Sequence, residues 1–393
     1  MTGRAQELTE YIFKHKNDFV ALLQALVEQE TPTDQPAVFT EVFNILRKEF
    51  EALNFEVQHI TGNKTAGHLL VKPKGLKKDT AIQLVLGHID TVWEMETLEE
   101  MPFKIDENIV AGPGTYDMKT GIAMMIFAMR AIKELGKELS IPPVMLITSD
   151  EETGSHESKE LIIELAKQAE RTFVLEPTLG PEGKIKTRRK GVGNFEVTIT
   201  GNPSHAGLAP EEGISAILGL SHVVQQLFRL NDPSNGVTVN VGTIEGGERT
   251  NVIAAKSKAR VDVRIPTKED GKRIKQKIYS LKPEIEGVEL SVSGDINRQP
   301  MEKNEANEKL WKLTQKLGKE LDLNLQEGTS GGASDGNFTN IYSPTIDGLG
   351  AVGEGAHAYH EKIFLNETLK RTALLSLLLL QPDLGPKKKE NNS

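Results

Sequence analysis

The sequence predicts an α/β fold with a mostly parallel central sheet, into which a smaller α+β unit of ferredoxin-like type is inserted. Three observations carry this expectation. Through the first half, short apolar runs alternate with stretches of helical periodicity, as buried parallel strands and their crossover helices require. Near Lys186 the character changes to segments in which apolar and polar residues alternate, the mark of a sheet with one covered face. After Arg298 helical periodicity returns. The expected boundaries are 1–186, an insert at 187–297, and 298–393, and 393 residues suit about two domains.

Each element has its own reason. "MTGRAQELTEYIFKHKNDF" spaces apolar residues as an amphipathic helix and carries charge throughout. "TAIQLVLGHID", "PPVMLITSDEE" and "RTFVLEPT" read as buried strands. Between the first two lies "DMKTGIAMMIFAMRAIKELG", a strongly apolar helix stopped by Gly136, and "SHESKELIIELAKQAE" supplies a helix before the third. In the insert, "GNFEVTITGN", "GVTVNVGTIEGG" and "SKARVDVRIP" alternate as half-buried strands, with helices over "GISAILGLSHVVQQLFRL" and "KEDGKRIKQKIYSLK". A long helix follows "NRQPMEKN", then a Gly-rich loop and the apolar helix "LKRTALLSLLLL".

Composition excludes several classes. A net charge of −9 argues against a general nucleic-acid or anionic-membrane surface. No apolar run approaches a membrane span, and the charged start lacks the apolar core of a signal peptide, so a cytoplasmic protein is expected. The chain has no cysteine, so any metal must be held by His, Asp and Glu. The tail "GPKKKENNS" reads as a solvated end.

The three buried strands end alike. The first ends in His88 and Asp90, the second in Asp150, Glu151 and Glu152, the third in Glu176. Asp117, after "GPGTY", begins the intervening helix on the same rim. Ligands of an open parallel sheet gather beyond the carboxyl ends of its strands. Singly, Asp117 is an N-cap and "SDEETGS" a solvated turn. Together, so many acidic and imidazole groups on one edge repel unless cations lie among them, which makes this a metal site. Period-two alternation puts His88 and Asp90 on one face, so the carboxylate can steady a metal-bound imidazole. Adjacent Glu151 and Glu152 diverge, so one can bind metal while the other takes a proton from water. The donors suit Zn²⁺, with Co²⁺ or Mn²⁺ possible, and their number favours two ions.

These motifs, with "GPGTYDMKTG", "GNPSHAG", "TNVI", "VDVR", "SGGASDG" and "GAHAYHE", resemble the zinc aminoacylase/carboxypeptidase group of co-catalytic metallopeptidases over residues 80–365. Within it the likeness is to the bacterial glutamate carboxypeptidases. The resemblance implies that Asp117 bridges two zinc ions, that His88 and Glu176 complete one, and that Glu152 and His357 complete the other. His360 is the alternative last ligand. It further implies Glu151 as general base, Asp90 as the partner orienting His88, and a cis Asp117–Met118 bond. His205 would reach across a homodimer formed through the inserted domain, which also serves as a lid, to steady the partner's oxyanion. Lys184, Asn251 and Arg264 would hold substrate, although Arg264 also suits a surface ion pair. Gly331, Gly332 and Ser334 would cradle a carboxylate with backbone N–H groups, or lie in a surface loop.

The expected function is hydrolysis of an amide beside a free carboxylate in a small peptide, releasing a C-terminal amino acid such as glutamate. The alternatives are an N-acyl-amino-acid deacylase and a non-catalytic metal- or peptide-binding protein. Neither nucleic acid nor membrane is an expected partner.

Overall fold

A computed structural model describes residues 3–383, so the lysine-bearing tail lies outside the described residues. The strands used below are β1 (Phe55–Ile60), β2 (His68–Pro73), β3 (Ile82–His88), β4 (Pro143–Thr148), β5 (Ala169–Val174), β6 (Gly191–Thr200), β7 (Thr238–Gly246), β8 (Lys256–Ile265), β9 (Glu289–Arg298) and β10 (Thr345–Ile346). The helices are α1 (Gly3–Lys14), α2 (Lys16–Val27), α3 (Phe39–Ala52), α4 (Thr120–Glu134), α5 (Lys159–Gln168), α6 (Ala216–Phe228), α7 (Lys268–Tyr279), α8 (Glu305–Glu320) and α9 (Leu365–Leu379). None among the described residues is long and apolar enough to cross a membrane.

The chain divides into two compact units. The larger holds residues up to Thr187, Lys303–Thr329 and residues from Ser334; the smaller holds Arg188–Glu302 and Ser330–Ala333. The smaller unit thus reaches past Arg298 to Glu302 and takes in a segment far along the chain, for which the sequence carries no signal.

In the larger unit a six-stranded sheet runs β1-β2-β4-β3-β5-β10. β4, β3, β5 and β10 are parallel. β1 and β2 form an antiparallel edge that the sequence reading did not foresee. Every residue of β3 and of β4 is buried, which is why these strands read as continuous apolar runs. Val85, Met145, Ile147 and Phe173 face a core shared with α1–α4, α8 and α9. Leu84, Leu86, Val144 and Leu146 face the opposite side, with Ile162 and Leu165 of α5. The chain leaves β3, forms β4 on one flank and then β5 on the other. That reversal opens a crevice at the carboxyl end of β3.

The first helical run is two helices, divided near His15. The apolar helix starts at Thr120, and Gly136 follows it with φ +61°, a left-handed stop that glycine adopts without steric cost. α4 approaches the sheet closely at Gly121, where a Cβ would lie 2.4 Å from the Leu175 carbonyl oxygen. That contact brings the loop before α4 to the ends of β3 and β5.

The smaller unit has strand order β7-β8-β6-β9, every neighbouring pair antiparallel. Its chain order, β6-α6-β7-β8-α7-β9, is the ferredoxin-like split βαβ. Phe195, Val197 and Ile199 face Leu220, Val223 and Leu227 of α6 and Ile274 and Ile278 of α7, while the intervening residues of β6 are less buried. Side chains of Ser215 and Thr267 cap the two helices by accepting from the N–H groups of Leu218 and Asp270. The fourth strand, β9, was missed from sequence because "ELSVSGDINR" is short of large apolar residues.

Candidate metal centre

His88 is the last residue of β3, and the turn from Ser149 to Glu152 leaves β4 beside it. Glu176 follows β5 by two residues. Asp117 does not begin a regular helix: it lies in a π-type turn, Thr115–Lys119, with φ −117° and ψ 96°. Its bond to Met118 is cis. The fifth group arrives from far along the chain. Gly353–Glu354 and Lys362–Phe364 pair with Ile109–Ala111 in a small antiparallel sheet. The turn between them carries His357 at φ +60°, a left-handed conformation that costs a non-glycine residue and marks such positions as candidate functional ones.

Asp117 occupies the middle. Its Oδ1 lies 3.2 Å from Nε2 of His88, and its Oδ2 lies 3.6 Å from Nε2 of His357. Oε1 of Glu176 is 3.4 Å from Nε2 of His88, and Oε2 of Glu152 is 3.3 Å from Nε2 of His357. Two donor sets therefore share one carboxylate: His88, Glu176 and Asp117 on one side, His357, Glu152 and Asp117 on the other. Glu151 also reaches this cluster, with a donor atom within 4.8 Å of donors from both His88 and Glu176.

Electrostatics mark the same residues. Asp117 Oδ1 and Glu152 Oε1 are buried and accept no hydrogen bond, an expensive state for carboxylate oxygens that a cation relieves. Burial pushes Glu152 up to about 8, against a hydrogen bond from His357 that acts the other way. The bond to Glu152 in turn lifts His357 to about 9. Burial lowers the pKa of His88, but the carboxylates of Asp117, Asp90 and Glu176 around the ring outweigh it and hold that pKa well above the usual imidazole value. These residues fit a pair of divalent cations: imidazoles and carboxylates, no thiolate, and one carboxylate shared.

The family is now decided by comparison with known proteins. The model of peptidase family M20/M25/M40 matches residues 84–381. The chain belongs to that family. Carboxypeptidase G2 of Pseudomonas sp. (strain RS-16) is 28% identical over 401 residues, covering 98% of this chain and 94% of the relative. Succinyl-diaminopimelate desuccinylase of Helicobacter hepaticus is 28% identical, covering 89% and 94%. Among solved structures, a tripeptidase from Staphylococcus aureus superposes with TM-score 0.76 at 22% identity, covering 93% of this chain and 97% of that one. This M20/M25/M40 chain is thus a hydrolase of the metallopeptidase and amidohydrolase kind, in a family that is typically dinuclear.

Around the centre of this M20/M25/M40 enzyme, several side chains hold the inner residues in place. Nδ1 of His88 meets the backbone carbonyl of Asp90 at 3.0 Å, and the Asp90 carboxylate lies slightly further off, at 3.5 Å. That carboxylate accepts from Thr33 Oγ1 at 2.8 Å and from the N–H groups of Glu151 and Glu152. Asp90 therefore ties the end of β3 to the turn after β4 as well as facing His88. Glu361 is fully buried and accepts from the loop that carries Asp117. Burial raises its pKa to about 7 against the pull of those backbone donors. Sequence reasoning passed over both Thr33 and Glu361, since an isolated threonine or glutamate in a loop carries no signal.

The remaining expected residues divide. His360 is exposed, and the imidazole beside Glu152 is that of His357. Lys184 lies in a turn, its backbone paired with Leu179, while the buried ammonium near the centre is that of Lys186, 3.8 Å from Oε2 of Glu176. "KIK" offers both lysines, and only the fold selects between them. Ser334 is not open to a ligand: it is fully buried, and its hydroxyl donates to Asp347 Oδ2 at 2.5 Å. In the smaller unit, Arg264 makes a two-pronged ion pair with Asp262, the surface-pair alternative. There Gly331 lies in open space, and the carbonyl of Gly332 accepts from Arg189. Asn251 is exposed, and its carbonyl accepts from the N–H of Ala206. His205 is exposed as well, with Nδ1 accepting from the N–H groups of Gly207 and Leu208, each at 3.1 Å.

Proposed function

We propose that this chain is a co-catalytic zinc carboxypeptidase, which hydrolyses the amide beside a free carboxylate and releases a C-terminal amino acid, glutamate being the leading candidate. The observation that carries the metal pair is the Asp117 carboxylate, one oxygen toward His88 and the other toward His357. His88 and Glu176 would hold one zinc, Glu152 and His357 the other, with Asp117 between. Two zinc ions there would polarise the scissile carbonyl and lower the pKa of water.

The chain's own groups do the rest. Glu151 stands in the same cluster as His88 and Glu176 and takes the proton of the attacking water, then passes it to the leaving amine. Asp90 and Thr33 keep the turn bearing Glu151 and Glu152 against the end of β3. Because backbone N–H groups occupy Nδ1 of His205, the neutral ring carries its proton on Nε2 and points a donor outward. We assign that donor to the tetrahedral oxyanion in the active site of a second copy, a contribution worth roughly 10²–10³ in rate. Dimerisation through the smaller unit is supported by Ile217, Leu218 and Phe228 exposed on α6 and Ile244 on β7, an edge strand of its sheet. Asn251 and the backbone at Gly331 and Gly332 remain our candidates for the substrate carboxylate.

Likeness to a desuccinylase, also 28% identical but over 89% of this chain, supports a second reading, removal of an acyl group from an N-acyl amino acid. A panel of Glu-terminated dipeptides, N-acetyl and N-succinyl amino acids, assayed with zinc-loaded protein, decides between them. Release of C-terminal glutamate at the highest kcat/KM supports the carboxypeptidase. Preference for the acyl amino acids replaces it with the deacylase, and inactivity on every class rejects both.

A further inference from the structure

The turn that presents His357 ends in a carboxylate with a second task. Glu361 follows His357 by four residues and is fully buried. Its Oε1 accepts from the N–H groups of Tyr116 at 2.7 Å and Asp117 at 2.9 Å. Its Oε2 accepts from the N–H of Gly114 at 3.0 Å and from Nε1 of Trp93 at 2.9 Å. Each oxygen thus receives two donors, and three of the four come from the loop whose side chain stands between the two donor sets. A carboxylate suits this place because it accepts at both oxygens and donates at neither.

Other contacts hold the same loop less directly. Lys119 Nζ donates to the carbonyls of Leu26 and Gln29, which fixes the far end of the turn to α2. The Tyr116 hydroxyl donates to the carbonyl of Thr178. Neither touches the backbone of Asp117 itself. Among the described residues, Glu361 alone accepts from the Asp117 N–H, and it follows His357 by four residues.

We infer that Glu361 is a positioning residue for the metal centre: it locks the Asp117 loop to the His357 turn, so the shared carboxylate and the exposed imidazole form one rigid half of the site. The inference rests on the zinc-pair reading above. It also predicts an asymmetry. His88 and Glu176 sit at strand ends that Glu361 does not touch, whereas the Glu152–His357 side loses both Asp117 and His357 from register when Glu361 is altered.

The test is Glu361→Gln, which preserves size. Either orientation of the amide aims an NH₂ at two existing donors, so no flip restores the four bonds. Metal-free wild type and variant are titrated with zinc against a chromophoric chelator, and their thermal unfolding is followed by circular dichroism. Wild type is expected to take two zinc ions. Glu361→Gln is expected to weaken the Glu152–His357 site, which loses both Asp117 and His357 from register, by roughly 10–100-fold, as when groups supporting metal ligands are removed, and to weaken the His88–Glu176 site, which shares only Asp117, by clearly less, still folded. Adding Trp93→Phe removes one donor that opposes the NH₂ and should restore part of the lost affinity. Two unchanged sites in Glu361→Gln overturn the inference. So does equal loss at both sites with collapse of the melting transition, which would make Glu361 merely structural. Fewer than two zinc ions on wild type sinks the zinc-pair reading and this inference with it.

Discussion

Nε2 of His357 lies 3.3 Å from Oε2 of Glu152, which pairs a half-exposed imidazole with a buried carboxylate. Glu152 lifts His357 to about 9. The imidazolium must lose its proton before Nε2 can bind a metal, so metal affinity rises with pH through the neutral range and levels off above about 9. Calorimetric zinc titrations in buffers of different ionisation enthalpy should show proton release at pH 7. Affinity should climb about tenfold per pH unit for each proton displaced. An affinity that is flat between pH 6 and 8 contradicts the assignment of His357 as a ligand.

Replacing Glu151 by Gln separates chemistry from metal binding. The variant is expected to hold zinc at the wild-type stoichiometry, measured by elemental analysis, and to lose hydrolysis by at least about 10²-fold, the lower end for general acid–base catalysis. Substantial turnover by a zinc-replete variant would remove Glu151 from the proton-transfer step.

The two histidines of "HAYH" can be told apart directly. His357→Ala should lose one of two zinc ions, while His360→Ala, altering an exposed ring, should keep both. The opposite result would transfer the ligand role to His360.

Gly121→Ala weighs two local effects. Helix propensity favours alanine by about 1 kcal/mol. Against that, the new Cβ would stand 2.4 Å from the Leu175 carbonyl and 2.7 Å from Met118 Cε, and a backbone carbonyl cannot yield cheaply. Overpacking should win and lower stability by about 1–3 kcal/mol, read from thermal unfolding. A variant as stable as wild type would show that α4 can move away from the sheet.

Cross-subunit action by His205 has a simple readout. His205→Ala and Glu151→Ala proteins, each inactive, should regain partial activity on mixing, because one active site of the heterodimer is complete. Ile244→Lys on the exposed edge strand should abolish both the recovery and the dimer seen by sedimentation. Verified heterodimers without recovered activity would confine His205 to its own subunit.

The sequence alone determined the parallel strands, because strands buried on both faces must be apolar throughout and stand out in "IQLVLGH" and "PVMLIT". It also determined that His88, Asp117, Glu151, Glu152 and Glu176 share a rim, since the carboxyl ends of neighbouring parallel strands point the same way. The tertiary structure decided what depends on residues distant in the chain. It placed the imidazole of His357 beside Glu152 and left that of His360 exposed. It put the ammonium of Lys186 beside Glu176 and Lys184 in a turn paired with Leu179. It buried Ser334 against Asp347, and it supplied Thr33 and Glu361 as supports. A hydrophobic pattern records which face of an element is covered, but a polar side chain's role is set by its partner, and here those partners come from 13 to 268 residues away.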